Sequence, residues 1–181
     1  EIEHWRDVLA KNFALRNPSL TTRELNYAVQ MTIDRIIFLR ICEDRGYEAE
    51  NQLQELINPL RPADTSPKSE RASDLGEEGR VYRELKKLFE RADRRYNSGL
   101  FHFKKENGRG REDTFTTGLE IDDKVLKDII KDLYYPAPYV FALIPSDILG
   151  QIYEQFLGKV IRLTASGNAK VEEKPEVRKA G

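Results

Sequence analysis

One long stretch with almost no polar face constrains the fold of this chain more than any other feature. From Arg23 to about Arg45, apolar residues recur at helical spacing. Thr21 or Thr22 can cap the start of this helix, and Gly46 can end it. A helix that is apolar around most of its circumference must be surrounded by other elements. The sequence therefore predicts a long central buried helix at about 21–46, whose apolar residues are Leu25, Ala28, Val29, Ile33, Ile36, Ile37, Leu39 and Ile41.

The central helix nevertheless carries charged residues, namely Asp34, Arg35, Arg40, Glu43, Asp44 and Arg45. Arg40 can pair with Asp44 one turn further on. We expect the other charges to emerge at the helix end, and we interpret the group as structural ion pairs rather than as catalytic carboxylates.

The remaining elements follow from periodicity, caps and breakers. We predict an all-α fold, an irregular bundle of about five to six helices around the central helix, with a possible small β-hairpin near 159–173. The hairpin is indicated by apolar residues on both sides of Ser166-Gly167-Asn168. The predicted flanking helices cover Ile2 to Leu15, Leu53 to Ile57, Arg80 to Asn97, Asp122 or Asp123 to about Leu133, and a segment opened by Ser146.

Proline, glycine and charge suggest how the chain is divided. The segment Asn58 to Gly79 is rich in Pro, Gly, Ser and acidic residues, and it is predicted to be a mobile surface loop. We expect a helical connector domain over 1–163 and an exit segment over 164–181. Because the chain begins with Glu1 and stops in a charged run, it is interpreted as a piece of a longer protein.

Charge is unevenly distributed along the chain. The formal net charge is -1, but Arg80 to Arg111 contains 11 Lys or Arg and 4 Asp or Glu, or 11 - 4 = +7, which leaves -8 for the rest. At about 100° per residue, five cations of the 80–97 helix share one face, here called the basic stripe: Arg80, Arg83, Lys87, Arg91 and Arg94. The basic residues that follow it are Arg95, Lys104, Lys105, Arg109 and Arg111.

Such a surface can neutralise DNA phosphates without reading bases, so these ten residues are candidate contacts to the DNA backbone. The alternative is an ordinary solvated face, on which Glu84 and Glu90 offer intrahelical pairs. The sequence leaves both interpretations open.

Several kinds of site have no basis in the residues. With only His4, His102 and Cys42, a zinc site has too few ligands, and the single cysteine permits a reducing, cytoplasmic location. No apolar run predicts a membrane span or a signal peptide. There is no G-x-S-x-G turn, and His102, between Phe101 and Phe103, is interpreted as a packing residue rather than a base.

Mg²⁺-dependent nucleases commonly use an acidic residue together with an acid-x-Lys triplet on adjoining strands. Three triplets match loosely: Glu84-Leu85-Lys86, Asp122-Asp123-Lys124 and Glu172-Glu173-Lys174. We expect none of them to lie in a strand, so chance matches are the favoured interpretation.

Three ordered blocks of sequence suggest a family. Residues 21–46, 96–101 and 148–157 together resemble the helical region of type IIG restriction-modification enzymes, and similar helices occur in related phage-defence proteins. In that family one polypeptide carries a Mg²⁺-dependent nuclease, this helical connector, an adenine-N6 methyltransferase that uses S-adenosylmethionine, and a DNA-recognition domain. The resemblance implies that Arg178 to Gly181 leads towards the methyltransferase.

The resemblance implies a function for this piece but no catalytic residues. The Asn-Pro-Pro-aromatic motif that grips a flipped adenine is absent, and Asn17-Pro18 is a superficial match. We therefore expect a non-catalytic spacer without a cofactor or metal of its own, which positions nuclease and methyltransferase domains on double-stranded DNA. The alternatives are an independent helical DNA-binding module that uses residues 80–111 and, more weakly, a divergent nuclease.

Overall fold

The computed structural model describes residues 1–58, 78–106, 108, 110–136, 141–143 and 159–173. Within these ranges the fold is mainly helical, with one two-stranded antiparallel hairpin, as the sequence predicts. The helices are α1 (Ile2–Arg16), α2 (Thr22–Asp44), α3 (Gln52–Ile57), α4 (Arg80–Tyr96) and α5 (Asp123–Lys131), and the strands are β1 (Lys159–Leu163) and β2 (Ala169–Glu173).

The ends of α2 are fixed by local hydrogen bonds. The Thr21 hydroxyl accepts from the Glu24 amide, and the Glu24 carboxylate accepts from the Thr21 amide, so the two residues form a capping box. At the other end Gly46 adopts φ +72, and the amides of Tyr47 and Gly46 donate to the carbonyls of Cys42 and Glu43. This Schellman arrangement ends α2 where the sequence predicts.

The core forms around α2. Its apolar residues belong to the same hydrophobic cluster as the buried faces of α1, α4, α5 and β1, so one continuous core joins the first helix to the hairpin. Residues that are essentially inaccessible to solvent include Leu9 and Phe13, Leu25, Ile33 and Ile36, Leu85 and Phe89, Leu126 and Ile130, and Ile161.

The hairpin is attached to the helices by polar as well as apolar contacts. The side chain of Asn26 in α2 donates to the Ile161 carbonyl at 2.6 Å and accepts from the Ile161 amide at 2.8 Å, as a neighbouring strand would. The Arg6 guanidinium of α1 donates to the Lys159 carbonyl at 3.2 Å, and Lys159 pairs with Glu3. Because β2 pairs with β1 and Ala169 is buried in the same core, residues 164–173 of the predicted exit segment are joined to the helices as well.

Some sequence predictions fall on residues that the structure does not describe. These are the helix opened by Ser146, the loop over 59–77 and the end of the exit segment after Glu173. In the described ranges, no helix combines the length and apolar character needed to cross a membrane.

Candidate nucleic-acid interface

The basic stripe lies on the side of α4 that faces away from the core. Arg83, Lys87, Arg91 and Arg94 are exposed, whereas the opposite face of the helix is buried through Leu85, Leu88, Phe89 and Ala92. Because α4 rises about 1.5 Å per residue, the four exposed cations extend over roughly 16 Å. This length of positive charge can follow successive phosphates of a duplex strand.

The residues of the basic stripe are not all equally available to contact a phosphate. Arg80 is half-buried and donates to the Leu56 carbonyl at 3.1 Å, so it ties α4 to α3. Lys87 is 64% exposed and pairs with Glu84 at 2.7 Å, a contact that water screens. Neighbouring Arg95 pairs with Glu48 at 3.3 Å.

Lys104, Lys105 and Arg111, here called the loop cations, are exposed in the segment that follows α4. Within the described part of the chain they make no ion pair. Arg109, the remaining candidate, lies outside the described residues. The structure therefore places two groups of exposed cations, the stripe and the loop cations, in consecutive parts of the chain.

The segment with the loop cations forms a loop, and the residues before and after it, 100–103 and 113–117, are here called its two stems. The buried side chain of Arg35 binds both stems. Its Nε donates to the Leu100 carbonyl before the loop at 2.9 Å. Its two terminal nitrogens donate after the loop, to the Thr116 hydroxyl at 2.8 Å and the Asp113 carboxylate at 2.6 Å. Arg35 is 1% exposed and lies in the middle of α2, so the loop is anchored to the centre of the fold.

Further hydrogen bonds close the base of the loop. The Asp113 amide donates to the His102 carbonyl at 2.7 Å, and the Phe103 amide donates to the Asp93 carboxylate of α4 at 2.9 Å. On the same flank of α4, the Tyr82 hydroxyl donates to the Thr116 carbonyl at 2.6 Å. The stems are thus attached to α4 as well as to α2.

Electrostatics stabilise the charged form of Asp113. Burial alone would raise the pKa of this carboxyl, but hydrogen bonds from the Thr116 hydroxyl and amide and from Arg35 lower the pKa below its ordinary value. The Arg35 guanidinium also lies 4.7 Å from the centre of the Phe103 ring. Each of the three nitrogens of the Arg35 guanidinium therefore donates a hydrogen bond, and the group also lies against an aromatic ring.

The prediction that the other charges of α2 emerge at the helix end is confirmed for Arg45, which is exposed, but it was wrong for Asp34, Arg35 and Glu43. Arg35 is 1%, Glu43 3% and Asp34 9% exposed. Glu43 accepts from the Leu53 amide and, at 2.5 Å, from the Tyr134 hydroxyl, and burial raises its pKa. A charge can stay inside a helical core when partners from other elements satisfy it, which the α2 sequence does not reveal. The predicted Arg40–Asp44 pair is confirmed.

Hydrogen bonds and helix positions within the fold explain the presence of the acidic residues in the acid-x-Lys triplets. Asp122 accepts from Asn12 at 2.7 Å and from Arg16 at 2.5 Å. Asp123 accepts from the Val81 amide at 2.9 Å. Glu84 lies within α4, as predicted.

The expectation that no triplet lies in a strand was wrong for Glu172 and Glu173, which belong to β2. Their partner strand has the sequence Lys-Val-Ile-Arg-Leu and offers no acidic side chain. Glu172 instead lies near Arg162 and Lys170, at 3.5 and 3.3 Å.

Asp113 and Thr116 were missed by sequence reasoning. The sequence feature that could have indicated them was Arg35, because a guanidinium within an apolar helix requires a buried acceptor from another part of the chain. Among the described residues, no three His, Cys, Asp or Glu side chains come together as metal ligands.

Comparison with known proteins gives one informative match. The chain is 32% identical, over 97% of its length, to a segment of the Type II restriction enzyme and methyltransferase RM.Eco57I of Escherichia coli. It spans 15% of the length of that protein. Identity at this level across nearly the whole chain establishes homology to the segment. No family model matches the chain, and no solved structure matches it.

Proposed function

We propose that this chain, homologous to a segment of a restriction enzyme and methyltransferase, is a non-catalytic helical spacer within such a bifunctional enzyme. The homology is the observation that supports the proposal, because a similar stretch of sequence lies within a protein named as both a restriction enzyme and a methyltransferase. The parent enzyme is expected to act on double-stranded DNA in the cytoplasm with Mg²⁺ and S-adenosylmethionine.

The packing supports a mechanical role for the spacer. α2 contacts α1, the hairpin and the turn at Phe141–Leu143 within one core. The Asn26 and Arg6 contacts fix the hairpin to this core, so the chain leaves the described body from a defined position and direction. A spacer of this kind holds the domains on its two sides at a constant separation, as precise positioning of catalytic groups requires.

Sequencing the gene on both sides of the region that encodes this chain tests the proposal. We expect an acid-x-Lys nuclease before it, and a Gly-rich cofactor motif with an Asn-Pro-Pro-aromatic motif after it. A gene that encodes neither domain would contradict the spacer function.

A second function, contact with the DNA backbone, is favoured by the exposed cations of the basic stripe. Changing Arg83, Lys87, Arg91 and Arg94 to Glu should abolish duplex binding at low salt. In wild type, the logarithm of affinity should fall with the logarithm of salt concentration by about 0.9 for each phosphate contacted.

Fluorescence anisotropy with a labelled duplex measures this binding. A matched control changes Lys11, Arg23, Lys124 and Lys131 to Glu, which are also exposed and alter the net charge equally. An equal loss of affinity in both variants, or no wild-type affinity at low salt, would refute contact through the stripe.

A further inference from the structure

We infer that the buried network of Arg35, Asp113 and Thr116 is a positioning device for DNA binding: it holds the loop cations beside the basic stripe, so that both form one surface for duplex phosphates. This inference rests on the proposed backbone contact. It adds residues that never touch DNA but determine how many phosphates the domain can neutralise.

The first support is the division of hydrogen bonds around Arg35. One guanidinium binds the incoming stem at Leu100 and the outgoing stem at Asp113 and Thr116. A planar guanidinium presents its donors on three nitrogens in a rigid fork and can hold two stems at a fixed spacing, whereas the three donors of an ammonium share one nitrogen on a flexible stem. This geometry explains why an arginine is buried at the centre of α2.

The second support is the attachment of both stems to one flank of α4. Phe103 is held by Asp93, Thr116 by Tyr82, and the Thr117 carbonyl by Lys86 at 2.8 Å. On a helix of about 100° per residue, Tyr82, Lys86 and Asp93 lie on the flank next to the basic stripe. The loop cations are consequently tethered alongside the stripe.

The third support is energetic. A long, flexible loop of like charges would lose conformational entropy when it orders on a phosphate backbone, which weakens binding. Stems fixed before binding reduce that loss. The bond from the Asp113 amide to the His102 carbonyl fixes the two residues at which this loop leaves and returns.

The test uses the substitution that removes the fewest contacts from the network. Thr116→Val removes the hydroxyl that accepts from Arg35 and donates to Asp113 at 2.6 Å, but it keeps the Arg35–Asp113 ion pair. Thr116→Ser restores the hydroxyl. Tyr134→Phe is the matched control, because it also deletes a buried hydroxyl bond, to Glu43 at the far end of α2.

Two measurements are made on the 181-residue chain: the salt dependence of affinity for a labelled duplex, and hydrogen exchange of the loop amides. A variant with Lys104, Lys105 and Arg111 changed to Gln shows how much the loop cations contribute to the slope of log affinity against log salt concentration. The slope should fall by about 0.9 for each phosphate that these cations neutralise. Thr116→Val should lower the slope towards this variant and speed exchange at 103–106. Thr116→Ser and Tyr134→Phe should keep the wild-type slope.

A wild-type slope in Thr116→Val would overturn the inference, whatever happens to loop exchange. A wild-type slope in the Gln variant would also overturn it, and this result does not depend on a core substitution. If the stripe variant loses affinity while the loop variants do not change the slope, only this inference fails. If the wild type binds no duplex, the proposed backbone contact fails with it.

Discussion

At the scale of single residues, the fold depends on charges inside an apolar helix. The sequence predicts where α2 begins and ends and which residues are apolar, because caps and periodicity are local signals. It does not predict the partner of Arg35, because Asp113 lies 78 residues further along the chain. A long-range contact of this kind depends on how the helices pack, which no local pattern encodes.

The Arg35–Asp113 pair leads to a prediction about stability. Asp113→Asn should lower the free energy of unfolding by about 3–5 kcal/mol, because it leaves the buried guanidinium without its counter-charge. Urea unfolding followed by circular dichroism measures this change. A loss no larger than that caused by changing the exposed Asp128 to Asn would contradict the burial of the pair.

The same pair predicts a pH dependence of definite sign. The pKa of Asp113 is lowered in the folded chain, so its stabilising contribution is present above the ordinary value of 3.8 and is lost as pH falls further. The stability difference between wild type and Asp113→Asn should therefore shrink below pH 3.8. Urea unfolding at a series of acidic pH values measures it, and a difference that grows with acidity would contradict the assignment.

At the scale of elements, α4 is stabilised by a residue from another helix. Its N-cap, Gly79, has no side chain to accept a hydrogen bond, and Asp123 of α5 accepts from the Val81 amide instead. The sequence predicts both helices and identifies Asp122 or Asp123 as the start of α5. It does not reveal that Asp123 also caps α4, because that contact depends on the packing of the two helices.

Asp123→Ala should therefore weaken α4 rather than α5. The expected cost is about 0.5–2 kcal/mol, typical of a lost N-cap, with faster hydrogen exchange in the first turn of α4. Asp128→Ala, an exposed change in the same helix, serves as the control. Equal exchange rates at Val81 and Tyr82 in the two variants would show that Asp123 is not the cap.

At the scale of the whole molecule, the described helices and the hairpin share one core. The helical class and the hairpin could be predicted from sequence, since both rest on local periodicity and turn residues. The docking of the hairpin could not, because the asparagine that binds Ile161 lies in α2, 135 residues away. The basic stripe was visible as a helical face, but the attachment of its neighbouring loop was not.

The most direct measurement of the proposed spacer function is the distribution of cleavage positions that the proposed parent enzyme makes on DNA with one recognition site. Asn26→Leu removes both bonds to Ile161, whereas Asn17→Leu removes an equivalent two-way contact with Glu120 inside the body. We predict that Asn26→Leu speeds hydrogen exchange in the hairpin and spreads the cleavage positions, while its methylation activity stays as in wild type. Asn17→Leu should keep the cleavage positions of the wild type. Unchanged cleavage positions with a demonstrably loosened hairpin would contradict the spacer function.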